Sequence, residues 1–363
     1  MSRRDIYYWK CDRAAAFHGT QLRGESDSVL EAQLHAAMRA KLGCKQLTLS
    51  AAKGQGNHLT WDADADGQPM FVRLENGPEQ DDYIMVESAV MQRVRALSLP
   101  VPQVFAVDAS RRHVAGAWQA IERIAFPDLN QWFKQGVLDS HRIAFDIGAA
   151  VARWQAIQPA GFGAFDSAQP NELRGFHPRY EDYFRLRLDQ HLGFLVERRF
   201  LTPEQRAEIE RVIDDHKQLL HLERGCLVHK DLALWNILGS REHIAAFIDF
   251  DDAISGDPVD DLSLLACFHD AEFLRRAFAG YESVRPLPPE YRRRFWLHLL
   301  RNMIVKAVIR VGAGYFDRSD AFFLIPSGAS GGTLRAFTHA RLNAALNGLR
   351  GGSGIETLGD LKT

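Results

Sequence analysis

No stretch of this chain approaches 18 uncharged apolar residues, so no membrane-spanning helix is expected. The opening MSRRDIYYWK is basic and lacks the apolar run of a signal peptide. Cysteine is sparse: Cys11, Cys44, Cys226 and Cys267 lie far apart, with no CxxC pair. That spacing argues against a zinc site or a disulfide scaffold and fits reduced thiols in a cytoplasmic protein. Neither sign of charge dominates. With 44 Lys and Arg against 46 Asp and Glu the formal net charge is -2, which implies no general affinity for nucleic acid or an anionic membrane. Internal repeats are also absent. What is present is 363 residues, 46% apolar and 25% charged, enough for a soluble protein of one large domain or two ordinary ones. Oligomeric state is not legible.

Taken in order, the chain changes character once. Residues 1–25 show no periodicity, but Tyr7, Tyr8, Trp9 and Phe17 suggest a segment packed on something. Ser28 and Glu31 form a capping-box pattern, and Leu30, Leu34, Ala37 and Met38 then recur at helical spacing, predicting a helix over 28–42. QLTLSAA, HLTWDAD and PMFVRLE read as strands, the last two joined by the turn Asp66-Gly67. A helix over 82–97 and strands near 103–107 and 114–121 complete a small antiparallel sheet with one helix on it. After residue 122 helical patterns dominate, over 128–136, 140–157, 178–198, 202–221, 260–280, 288–313 and 332–349. The tail GGSGIETLGDLKT reads as loosely ordered. The expected fold is α+β, with a sheet-rich lobe over 1–121 (an extra segment and helix over 1–44 included) and a helical lobe over 122–363. A ligand between lobes is the default expectation.

The chemistry concentrates in Cys226–Asp261. His229, Asp231 and Asn236 match H-x-D-x-x-x-x-N, and Asp249 ends the next apolar string. Asn236 and Asp249 lie symmetrically about residues 242–243, so a hairpin turning there brings both to one end. A carboxylate that orients or deprotonates a hydroxyl, beside amide and carboxylate oxygens that suit magnesium, is the set phosphoryl transfer needs. Upstream, Gly54-Gln55-Gly56-Asn57 joins two strands. It reads equally as a tight hairpin or as a lid whose amides approach phosphates unobstructed by a Cβ. Glu87 shares the inward stripe of its helix, where a carboxylate needs a partner. Arg73 can supply one, either as a structural ion pair or as the pair that holds a cation over phosphates.

These residues together resemble the aminoglycoside phosphotransferase and choline kinase superfamily, small-molecule relatives of protein kinases with the bilobal protein-kinase-like fold. The similarity spans about residues 45–315. The resemblance implies ATP and Mg2+ as cofactors and a small-molecule hydroxyl as acceptor. Asp231 would be the catalytic aspartate, His229 its supporting partner in the loop, and Asn236 and Asp249 the metal ligands. Gly54, Gly56 and Asn57 would lie over the phosphates, Arg73 and Glu87 would stand as the lysine–glutamate pair, and Glu122 and Ile124 would bond adenine. GDPVDDLS is similar to the family's GDPxxDLA, in which Asp261 braces the catalytic loop. Three positions depart: Lys230 replaces a usual glycine, Arg73 a lysine, and Gln155 a common histidine. The Arg73 and Lys230 departures leave a second reading, a nucleotide-binding pseudokinase with little transfer. The chain has no A-P-E segment, and only seven residues separate Asp249 from Asp257, favouring a small-molecule over a protein acceptor. Asp251, Asp252, Asp257 and Asp260 suit a cationic acceptor, whereas Arg292, Arg293, Arg294, Arg301, Lys306 and Arg310 suit the opposite, so the acceptor's sign stays open.

Overall fold

In a computed structural model that describes residues 2–12, 28–52, 58–75, 80–318, 331–352 and 354–360, the chain opens with a buried strap. It ends in one helical turn, α1 (Trp9–Asp12). The next helix, α2 (Ser28–Leu42), falls where Ser28 and Glu31 mark it. Strands β1 (Leu47–Ala51), β2 (His58–Ala65) and β3 (Gln68–Glu75) follow, then α3 (Tyr83–Ala96), β4 (Val104–Asp108) and β5 (Trp118–Glu122). They make one antiparallel sheet in the order β1-β2-β3-β5-β4. Strand alternation decides its two faces. Val72, Leu74, Trp118 and Ala120 pack with Leu34 and Met38 of α2. The intervening Arg73 and Gln119 turn the other way, toward Glu87 and Ser88 of α3.

The second lobe is mainly helical: α4 (Leu129–Lys134), α5 (Ser140–Trp154), α6 (Tyr180–Phe184), α7 (Leu188–Glu197), α8 (Pro203–Asp215), α9 (Asp260–Leu265), α10 (Ala271–Glu282), α11 (Tyr291–Gly312) and α12 (Gly331–Gly351). Its core is continuous, with Ile147 and Val151 of α5 and Leu300 and Ile304 of α11 fully buried. Helices α5 and α10 cross at glycines, since a Cβ on Gly148 would lie 1.8 Å from the Ala277 carbonyl oxygen and one on Gly280 1.9 Å from that of Phe145. The architecture is α+β and bilobal, as expected.

Several boundaries differ from the sequence expectation. The helix expected over 178–198 divides at Arg187, whose φ of 56° is left-handed. That expected over 260–280 divides before Asp270, whose side chain accepts from the Phe273 amide at 3.0 Å and caps α10. Helix α8 keeps its Thr202–Gln205 capping box but stops at Asp215, and a 3-10 turn (Lys217–Leu220) completes the expected span. Among the described residues of the tail, Ile355–Asp360 is a 3-10 helix with Leu358 fully buried, where loose order was expected. Short strands β6 (Phe162–Phe165), β7 (Gly175–His177) and β11 (Ile254–Gly256) were not legible, because three or four residues carry no period. With β8 (Cys226–Val228) they form a sheet in the order β7-β6-β11-β8. The hairpin of β9 (Ile237–Gly239) and β10 (Ile244–Phe247) forms as expected. No described helix is long and apolar enough to cross a membrane.

Candidate active site

The loop after β8 is held from beneath. Asp261, at the start of α9, accepts the amides of His229 (2.9 Å) and Lys230 (3.0 Å), and Trp154 Nε1 adds a third donor at 3.3 Å. His229 is completely buried, and burial holds its imidazole below its usual range. Its Nε2 faces the Ile248 carbonyl at 3.0 Å, and its Nδ1 faces the Asp231 amide at 3.4 Å. Both ring nitrogens are therefore used within the loop, which fits a strut and not a proton carrier. Lys230 has a φ of 69°, a left-handed conformation that glycine adopts without penalty.

Asp231 emerges beside Asn236, whose Nδ2 donates to the Asp231 carbonyl (2.8 Å) and to its carboxylate (3.1 Å). Among the described residues the Asn236 side-chain oxygen has no donor, so it remains available to a cation. The Ile248 amide donates to the Asn236 carbonyl at 3.0 Å, and this bond closes the hairpin that puts Asp249 alongside. Asp249 is also left-handed, with φ 68°. Burial, with the neighbouring Asp251, pushes its carboxyl up to about 6. Asp251 Oδ1 and Asp252 Oδ2 are buried without any hydrogen-bond partner. The Asn236 amide oxygen with the Asp249 carboxylate at the hairpin end is the hard-oxygen pair whose chemistry fits a magnesium ion; among the described residues Asp249, Asp251 and Asp252 do not bring three carboxylates to one point.

From the sheet side, Arg73 makes a two-pronged ion pair with Glu87, at 2.9 and 2.8 Å, and its Nη1 lies 3.9 Å from Asp249. Burial disfavours the Arg73 cation, but Glu87 and Asp249 outweigh it and raise its pKa. Through Asp249 the Arg73–Glu87 pair reaches the helical lobe. The Glu122 amide is engaged by the Gln103 carbonyl at 2.8 Å. Ile124, half-buried just beyond β5, makes no main-chain hydrogen bond to a described residue, so of the two adenine positions it has the freer backbone. Gly54, Gly56 and Asn57 lie outside the described residues.

Sequence reasoning missed Tyr8 and Lys10 at the centre of the site and named Lys306 only as a possible lining residue. The Tyr8 hydroxyl donates to Asp231 Oδ1 at 2.7 Å, Lys10 Nζ donates to Oδ2 at 2.8 Å, and Lys306 Nζ lies 3.4 Å from Oδ1. Burial opposes the Asp231 charge, yet Lys10 and Lys306 hold this carboxylate well below its usual range. The strap is locked in place. Tyr183 donates to the Tyr7 carbonyl (2.7 Å), the Trp9 amide donates to Asp252 (3.3 Å), and Arg3 pairs with Asp81 (2.7 Å). Asp12 meets His191 at 2.6 Å, with Cys11 and Arg301 on the same imidazole. The signal available was the aromatic run Tyr7–Trp9 ending on Lys10. It marked burial but not the target.

A loop carboxylate, a paired amide and acid at a hairpin end, and a cation–carboxylate pair facing them across a cleft define a phosphotransferase of kinase-like fold. The chain belongs to the phosphotransferase enzyme family, whose model matches residues 48–296. Curated proteins give no match. Among solved structures, a protein provisionally named fructosamine-3-kinase from Thermobifida fusca is 22% identical, covering 86% of this chain and 98% of that one, with a TM-score of 0.61. Aminoglycoside phosphotransferase APH(4)-Ia is 17% identical over 89% of this chain and 100% of its own, with a TM-score of 0.60. Macrolide 2'-phosphotransferase MphH from Brachybacterium faecium is 17% identical over 90% and 100%, at 0.54.

Proposed function

We propose that this protein transfers the γ-phosphoryl group of ATP to a hydroxyl of a small molecule. The observation that carries the reading is the convergence of Asp231, Asn236 and Asp249 on one side with Arg73–Glu87 on the other, joined by the 3.9 Å approach of Arg73 to Asp249. Solved complexes of APH(4)-Ia hold AMP-PNP or ADP together with hygromycin B, which supports a nucleotide and a hydroxyl-bearing acceptor here. The lobes divide near residue 122, and Ile124 with Glu122 bonds adenine. Four free cysteines agree with a reducing, cytoplasmic setting.

Asp231 accepts a hydrogen bond from the acceptor hydroxyl, aims its oxygen along the line of attack, and takes its proton late. The Tyr8 hydroxyl already shows that Oδ1 receives an O–H at 2.7 Å. Arg73, fixed by Glu87, presents cationic N–H groups toward the phosphates. Asn236 Oδ1 and Asp249 would hold Mg2+, which when bound supplies charge neutralisation for the phosphates. His229 and Asp261 keep the loop in register.

Thermal shift with Mg-ATP tests binding, and ADP release across a panel of hydroxyl compounds tests turnover. Asp231→Asn is expected to lower kcat at least 100-fold, on the order expected for losing a general base, while ATP-dependent stabilisation is kept. Full turnover by that variant would sink the reading. The pseudokinase alternative rests on the departures at Arg73 and Lys230. It predicts ATP stabilisation without transfer, and a large rate gain on Arg73→Lys would favour it.

A further inference from the structure

Beyond Lys306, helix α11 carries a second cation on the same face one turn later, Arg310, and α12 brings Arg341 to the Phe337 ring that Arg310 also lies over. Both guanidinium groups are buried, each 2% exposed, and both lie over the Phe337 ring, at 5.9 and 5.2 Å from its centroid. Among the described residues Arg310 finds one hydrogen-bond partner, the Thr338 hydroxyl at 2.8 Å, and Arg341 Nε and Nη1 find none. Among the described residues neither makes an ion pair with a carboxylate. The Asp270 carboxylate, which acts on Arg341 only from farther off, is committed to capping α10. Burial accordingly pulls both guanidinium groups down, to about 10, so they remain charged at neutral pH without a counter-ion.

Arg301, on the same helix, shows what a purely structural buried arginine looks like here. Its three nitrogens bond the Phe184 carbonyl (3.0 Å), the Leu186 carbonyl (2.8 Å) and His191 (3.0 Å). A buried cation that lacks such partners is costly unless an anion joins it. The row leads to the reaction centre. Lys306 lies 3.4 Å from Asp231 and stacks on Phe268, whose ring meets Trp235 of the catalytic loop at 4.8 Å between centroids.

We propose that the acceptor is an anion: its carboxylate or phosphate group docks between Arg310 and Arg341 while its hydroxyl reaches Asp231. The hydroxyl half rests on the kinase reading above; the anion half rests on the two arginines alone. Sulfate, a tetrahedral oxyanion that arginine's planar fork can grip with two N–H···O bonds, is the probe. With saturating Mg-AMP-PNP filling the nucleotide site, millimolar sodium sulfate is titrated against sodium chloride at equal ionic strength, following Tm. A saturable rise is expected in the wild type and in Asp231→Asn. Arg310→Met and Arg341→Met are expected to shift its midpoint by about tenfold or more, the effect of one charge-assisted contact. Because each substitution removes an uncompensated buried charge, both variants are expected to fold at least as stably in chloride. In the ADP-release panel, hydroxy acids and sugar phosphates should outpace their neutral and amine-bearing counterparts. No saturable sulfate response in a protein that binds Mg-AMP-PNP would overturn the proposal, as would a response unchanged in both variants, or preferred turnover of amines. Failure of Mg-AMP-PNP to stabilise the protein would instead strike the kinase reading, leaving the sulfate titration to judge the arginines by themselves.

Discussion

Lys230 holds a backbone conformation that costs a non-glycine residue about 1 kcal/mol or more. Its side chain offsets this. Nζ is buried against Asp260 (2.6 Å), the Tyr7 hydroxyl (3.1 Å) and Asn302 (3.2 Å). The departure from glycine is therefore an exchange: local backbone strain for a buried ion pair that ties the catalytic loop to α9, α11 and the strap. Lys230→Gly would relieve the strain but leave Asp260 buried without its cation, a loss of about 3–5 kcal/mol. Urea denaturation is expected to show a net loss of about 2–4 kcal/mol, largely recovered when Asp260→Asn is added. A more stable Lys230→Gly protein would show that strain outweighs the pair.

At the scale of elements, the strap of residues 2–12 is the least expected part of the site. Tyr8 presents a hydroxyl to Asp231 as an acceptor would, so the two compete for Oδ1. Tyr8→Phe is expected to lower the acceptor KM severalfold with a smaller change in kcat, read from initial rates; a raised KM would make Tyr8 part of the acceptor site. The elements also show what was legible. The hairpin of β9 and β10, α2 and the antiparallel strands of the first sheet followed from period, caps and turn residues, all of them local. Asn236 and Asp249 meet at the hairpin end as their spacing implies, and Arg73 reaches Asp249 as the family resemblance implies. Lys10, Lys306 and the unpaired arginines were invisible as a group, because nothing local distinguishes a lysine that crosses to Asp231 from one in solvent. Arg310 and Lys306 were noted as candidate lining; Arg341 was not. The breaks at Arg187 and Asp270 hid inside long helical patterns for a related reason: apolar period continues across them, and only a side-chain cap or a left-handed residue interrupts the backbone.

For the whole molecule, the acidic centre sets a pH dependence. Burial, with the neighbouring Asp251, pushes the Asp252 carboxyl up to about 7, against roughly 3.9 for a free aspartate. The folded state therefore holds a proton that the unfolded chain has lost, and stability falls as pH rises between those values. Asp257 runs the other way. Despite burial, His298 and Arg294 lower it to about 2, so its stabilisation is complete above pH about 4 and lost only as pH falls through its folded value. The sign can be isolated with Asp252→Asn, which is expected to gain about 4 kcal/mol over the wild type at pH 8 and only about 1.5 kcal/mol at pH 5. Equal gains at both pH values would mean that this carboxyl does not titrate in the folded protein as described.

The strap has a consequence for how the molecule is made. Tyr8 meets Lys306 across 298 positions of chain, so the strap leaves the ribosome long before the helix it rests on and is among the last segments to find its place. Until α11 has emerged, Tyr7, Tyr8 and Trp9 have no complete surface to cover. The acids around Asp231 likewise wait for Lys10 and Lys306 to arrive from opposite ends of the chain. Assembly of the active centre is thus a closing event of synthesis, and a chain cut short before α11 would carry the whole phosphotransferase motif and still lack a finished site.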